Sequence, residues 1–146
     1  MNNYSVPLEH GFLFNPTVAN PASGADWFYL TPNNRRYELV GVRFVMTTDA
    51  NVANRNINLQ ISVGVDIKVA IPMSVVQPAS TSFKYQYLQG VHAPTLLPSN
   101  NELMALPPRL FIPANYLIST TTVNIQVADQ FTDIELLFNT WIERSV

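Results

Sequence analysis

Residues 54–63 read NRNINLQISV. Ile57, Leu59, Ile61 and Val63 alternate there with Asn56, Asn58, Gln60 and Ser62, and this period of two predicts a strand with one buried face. The outward set carries no charge. The same period runs on to either side. Upstream, Val40, Val42, Phe44 and Met46 alternate with Leu39, Gly41, Arg43 and Val45 between the turn-like stretches TPNNRR and TTDANVAN. Downstream, Gly64 to Asp66 turn the chain into Ile67, Val69 and Ile71, and Pro72 ends the strand or places it at an edge. Phe83, Tyr85 and Tyr87 share a face, as do Val123, Ile125 and Val127, and Ile134, Leu136, Phe138, Thr140 and Ile142. Short strands around DWFYL and RLFIP bring the total to about eight, the number that closes a two-sheet jelly roll. Helical periodicity is nearly absent. The expectation is an all-β chain, a single antiparallel jelly-roll-like β-sandwich over residues 1–146.

Composition narrows the function. Charged residues are 12% of the chain, about half the usual share, and Asn, Gln, Ser and Thr stand in their place. A net charge of -2 with one adjacent basic pair, Arg35 and Arg36, offers no stripe for phosphates, so no nucleic-acid partner is expected. No cysteine is present, which excludes a disulfide framework and thiolate chemistry. MNNYSVPLEHG lacks a basic region followed by an apolar run, and no stretch reaches membrane-spanning length. A soluble, unexported protein with no membrane partner is expected. Prolines punctuate residues 1–25 (Pro7, Pro16, Pro21) and 89–113 (Pro94, Pro98, Pro107, Pro108, Pro113). They predict an extended N-terminal arm and a long ordered surface loop.

No catalytic motif or cofactor signature emerges. His10 and His92 lie in no zinc-ligating arrangement. Asp129 and Asp133 in ADQFTD could bind Ca²⁺, but capping of the turn by local backbone N–H groups is the plainer reading. Phe83, Tyr85 and Tyr87, with Trp27, Phe28 and Tyr29, form aromatic rows that suit a core or interface; the rival reading is a platform for stacking sugars. Arg43 falls mid-strand among apolar neighbours and Arg55 opens the strand that follows; a buried or interfacial arginine needs an acidic or carbonyl partner, with Glu38, Asp49 or an acid of a neighbouring subunit as candidates. Trp141 shares a face with Leu137, opposite Ile134 to Ile142, so its strand is apolar on both sides and is central or covered by another chain.

The run YELVGVRFVMTTDANVANRNINLQIS, the Pro-rich passage LPPRLFIPANYLIST and the close TVNIQVADQFTDIELLFNTWIERSV together resemble small β-sandwich proteins of tailed-bacteriophage virions. That class includes capsid decoration or cement proteins and head or tail accessory proteins. Where the turn after LFIPA would carry glycine, this chain has Asn115, which also adopts left-handed turns. The resemblance implies a non-enzymatic virion protein, assembled in the host cytoplasm, a homo-oligomer with a trimer favoured, whose partners are the major capsid protein or other virion proteins. Candidate contact residues are Phe14, Arg35, Arg36, Arg43, Arg55, Asn56, Asn58, Gln60, Pro107, Pro108 and Trp141. A carbohydrate- or receptor-binding module is the alternative.

Overall fold

The computed structural model describes residues 11–33, 35–92, 95–97 and 100–142. The strands are β1 (Phe12–Phe14), β2 (Phe28–Leu30), β3 (Arg35–Thr47), β4 (Asn56–Val63), β5 (Asp66–Pro72), β6 (Ser82–Leu88), β7 (Thr95–Leu97), β8 (Asn101–Ala105), β9 (Phe111–Ile112), β10 (Leu117–Val123) and β11 (Gln130–Ile142). None of the described residues is helical. One sheet runs β1-β11-β3-β6-β8-β7, with β9 beside the start of β3; the other runs β2-β10-β4-β5. All pairs are antiparallel except β6–β8.

The two sheets form a β-sandwich. Its core joins Leu39, Val42, Phe44, Met46, Tyr85, Tyr87, Leu136 and Phe138 of the larger sheet to Ile57, Leu59, Ile61 and Ile118 of the smaller. Contacts cross directly: Tyr29 lies 6.0 Å from Phe138, and the Tyr87 hydroxyl donates to the Ile71 carbonyl. Residues 56–61 behave as the alternation predicts, Ile57, Leu59 and Ile61 being buried and Asn56 exposed, but a register shift between Ile61 and Ser62 buries Ser62 and leaves Val63 only half-buried, against the expected faces. Gly64 takes φ +57° at the tip of the β4–β5 hairpin, a left-handed turn that costs glycine little.

Three elements depart from the sequence reading. Residues 89–113 are not one surface loop: β7, β8 and β9 lie within them. Pro107 and Pro108 are exposed between strands, where a missing N–H costs no ladder bond, and the proline-free run Asn101–Ala105 was left to pair with β6. In β3, pairing passes from Leu137↔Gly41 to Phe138↔Leu39, so Val40 is an extra residue. That bulge swaps the inward parity, putting Tyr37 and Leu39 in the core with Val42, Phe44 and Met46, and separating Arg43 from the Leu39 face. Finally, the strand expected around Val123, Ile125 and Val127 ends at Val123, because Asn124 takes φ +61°. The paired segment lies upstream and buries Ile118, Thr120 and Thr122.

The expected arm is described only from residue 11 onward; its first ten residues, with His10, fall outside the described residues. Residues 11–25 lie along their own chain. Phe12–Phe14 pair with Phe138–Thr140, Thr17 bridges Glu135, and the Gly24 N–H donates to the Asp129 carbonyl.

Both ends of the sandwich are tied by polar groups. At one end Thr31, fully buried, donates its hydroxyl to the Pro113 carbonyl at 2.8 Å and accepts the Tyr116 N–H at 2.9 Å. This joins the β2–β3 and β9–β10 connections. At the other end three inter-sheet connections meet on Arg55. Its Nε and Nη2 bind the two carboxylate oxygens of Asp129, each at 2.9 Å; Nη2 also reaches Asp49 at 2.6 Å, and Nη1 donates to the Asn51 and Ala53 carbonyls. All five guanidinium donors are thereby used. Gln77 completes the corner, exchanging backbone bonds with Arg55 and linking the Met46 carbonyl to the Tyr85 hydroxyl.

Candidate functional site

The end of the sandwich tied by Thr31 is also where β3 begins. Adjacent strand residues point to opposite faces, so Arg35 and Arg36 diverge. The Arg35 guanidinium lies over the rings of Phe12 and Phe14, 5.4 and 5.7 Å from their centroids, a cation–π geometry. Arg36 is exposed on the other face, paired across the ladder with Trp141. Phe111, across β3 on β9, sets its ring 6.1 Å from Trp141. Gly11 lies flat on that indole, since a Cβ there would sit 2.6 Å from the ring. Arg36, Tyr37, Phe111, Ile112 and Pro113 line a cavity of about 270 Å³. Burial pushes the Tyr37 phenol up, against the opposing pull of Arg35, so it remains a neutral hydroxyl facing the Pro32 carbonyl.

Four sequence candidates, Phe14, Arg35, Arg36 and Trp141, therefore gather at one end from β1, β3 and β11. They are joined by Phe111, 58% exposed, and by Phe12 and Leu13 on the edge strand. Guanidinium donors beside aromatic faces suit recognition, the composition of residues that dominate protein interfaces. Phe111 was missed as a contact residue. Its only signal was an aromatic in a run too short to show a period.

The other candidates separate. Asn56, Asn58 and Gln60 lie on the outer face of the smaller sheet, with Ser119 and Thr121 beside them. Arg43 pairs with Glu135 on the outer face of the larger sheet, so its acid is neither Glu38 nor Asp49. Arg55 is not a contact residue, being completely buried in the corner described above. Phe14 is half-buried, its ring packing on Tyr37 and Phe138 as well as under Arg35.

The acidic pair divides as well. Asp129 is completely buried. Burial alone would push its carboxyl up, but the Arg55 guanidinium and the N–H groups of Gln126 and Asp49 reverse this and hold it below the ordinary carboxylate range. Its oxygens are thus taken by donors. Asp133, expected in the same turn, is exposed at a bulge inside β11, with φ +51°. Among the described residues no group of three or more His, Cys, Asp or Glu side chains is placed to hold a metal ion. His92 is exposed. Of the rings weighed for sugar stacking, Trp27 is 1% exposed and Phe83, Tyr85 and Tyr87 are buried in the core, whereas Phe28 is exposed on the outer face of the smaller sheet.

One acid has no such compensation. Glu102, on β8 beside Tyr85, is 2% exposed, and its Oε1 finds no hydrogen-bond partner. Burial pushes its carboxyl above the ordinary value. A raised acid leaves stability intact below the pH where unfolded glutamates ionise and erodes it as pH climbs toward the folded value. Glu102→Met is expected to remove that erosion, raising the melting temperature by a few degrees at pH 8 and hardly at all at pH 4. Thermal melts across that range check it; an equal shift at both ends would refute the assignment to ionisation.

No family model, curated protein or solved structure matches this chain.

Proposed function

We propose that this chain is a non-enzymatic structural protein of a tailed-phage virion, a jelly-roll-like sandwich with a Pro-rich N-terminal arm that binds the capsid shell and reinforces it. The supporting observation is that Arg36, Phe111 and Trp141, from three strands distant in sequence, meet on one face of a cavity-bearing end, while Arg35 lies over Phe12 and Phe14 on the opposite face of the same strand. An acceptor of matching chemistry is an apolar segment flanked by carboxylates or carbonyls on a major capsid protein. Binding only to the assembled shell would stabilise that shell by mass action. Repetition of the site over the lattice would multiply a modest single contact.

The test is co-sedimentation with undecorated phage particles. The wild-type chain is expected to pellet with them, and the double variant Arg36→Glu, Phe111→Ser to bind at least about tenfold more weakly, as loss of an arginine–aromatic anchor implies. Both positions are exposed, so the variant should melt like the parent. Wild-type protein that never pellets with particles would sink the shell-binding reading. Undiminished binding by the double variant would remove this end of the molecule from it.

A further inference from the structure

We infer that the outer face of the four-stranded sheet is a homotypic contact surface, on which a second copy of this chain docks. The register sets out that face row by row. Phe28 stands opposite Ser119, Ser119 opposite Gln60, and Gln60 opposite Ala70; Thr121 stands opposite Asn58, and Val123 opposite Asn56. Leu30 and Leu117 extend it at the β2 edge. No outward position on β2, β10 or β4 is charged. Charge enters only at the start of β5, where Lys68 and Asp66 neutralise each other at 2.8 Å. The outer face of the larger sheet is the contrast, carrying Arg36, Glu38, Arg43, Lys84 and Glu135.

Two features make the uncharged face more than a by-product of low overall charge. It exposes large apolar side chains, Phe28 at 67%, Leu30 at 54% and Val123 at 49%. Its polar groups are also ordered: the Thr121 hydroxyl donates to Gln60 Oε1 at 2.9 Å, leaving the amide N–H donors of Gln60 for an external acceptor.

Charge decides the occupant. A charged partner would have to desolvate ions against a surface holding nothing to pair them. Amides and hydroxyls both donate and accept, so this face can satisfy a copy of itself without like-charge repulsion. The resulting contact is isologous, with a two-fold axis. Four strands about 4.8 Å apart and seven residues at about 3.3 Å each give a footprint of roughly 440 Å² per copy. That falls short of the roughly 800 Å² per partner of a standard stable interface. The association is therefore reversible and concentration-dependent, and it would tighten when copies are held side by side. It does not depend on the shell-binding reading, which uses the other sheet and one end of the sandwich.

Sedimentation velocity of the full chain over a wide concentration range tests this. Wild-type protein should shift from monomer to dimer as concentration rises. Thr121→Lys, exposed at mid-face, sets two like charges against each other across the axis and should raise the dissociation constant at least tenfold. Mixing Thr121→Lys with Thr121→Asp should restore the dimer, and Phe28→Ser should weaken it without adding charge. Thermal melts certify the fold of each variant. A wild-type chain that stays monomeric throughout, or association that ignores Thr121→Lys and Phe28→Ser alike, would overturn the inference. If the wild type is monomeric while Thr121→Lys lowers co-sedimentation with particles, the face belongs to a shell partner and the second-copy assignment fails. The variant Arg36→Glu, Phe111→Ser should self-associate normally, which keeps the two proposals separable.

Discussion

Asp129→Ala is expected to destabilise the fold by about 3–5 kcal/mol, the cost of stranding a buried charge whose partner has been removed. For a domain of this size that corresponds to a fall in melting temperature of about 10 °C or more. The reason lies in what remains behind. Arg55 is fully buried and delivers two of its donors to Asp129 and one to Asp49. Alanine leaves that guanidinium in the interior with only Asp49 to balance it, and orphans the N–H groups of Gln126 and Asp49 as well. The loss would spread because the corner joins three inter-sheet connections. Replacing both partners together, Arg55→Met with Asp129→Leu, should cost less than Asp129→Ala, since no unpaired charge is left buried. The pH dependence follows from the direction of the carboxyl's shift. With a folded value below the unfolded one, Asp129 contributes its full stabilisation above the pH where unfolded aspartates ionise, and loses it as pH falls through the folded value. Asp129→Ala should therefore show a shallower acid limb in thermal melts run from about pH 2 to pH 7. A drop under about 1 kcal/mol, typical of exposed ion pairs, would show the corner to be solvated.

That corner also marks where the sequence stopped being informative. Arg55 was legible as a cation needing a carboxylate, and Asp129 as an acid bonded to local N–H groups, which its contact with Gln126 bears out. Nothing in a period-two pattern joins residues 74 apart in the chain. Only the folding of β3–β4 and β10–β11 connections onto one end does so. Alternation served well in β6, in β11 and in β4 as far as Ile61, where the buried faces are aliphatic or aromatic. It misled in β10, where Thr120 and Thr122 point inward while Val123 is half exposed. The Thr122 hydroxyl and N–H are taken up by Asp26, which makes an apolar-looking exterior and a polar-looking interior compatible. In β3 a single bulge at Val40 reversed the parity between its two halves, and no local residue signal announces a bulge of this kind. The binding end was half legible. Arg35 and Arg36 stood out as a basic pair and Trp141 as an aromatic on a two-sided strand, but their meeting with Phe111 depends on β9 lying beside the first residues of β3.

Phe44→Ala should be comparably damaging, costing about 3–5 kcal/mol, the usual range for deleting a buried phenylalanine ring. Phe44 is fully buried on the central strand of the larger sheet, and four aromatic rings surround it: Tyr85 at 5.2 Å, Phe131 at 5.5 Å, Trp27 at 5.7 Å and Tyr87 at 6.3 Å. Such neighbours are rigid, so they collapse poorly into the space a missing ring leaves, and the cavity contribution should approach its upper end. The tilted and edge-on ring geometries would be lost with it, each worth about 0.5–1.5 kcal/mol beyond burial. Phe44→Leu retains most of the volume and should cost about half as much. The check is chemical denaturation of the three proteins, with the midpoint read at constant slope. A Phe44→Ala variant within about 1 kcal/mol of wild type would mean that the two sheets close over the gap, and that the aromatic cluster is not what holds them together. Because the residue lies deep between the sheets, away from both the arginine–aromatic end and the uncharged outer face, the folded fraction of Phe44→Leu should bind particles and self-associate like the parent. Recognition would then depend on surfaces that a sound core only presents.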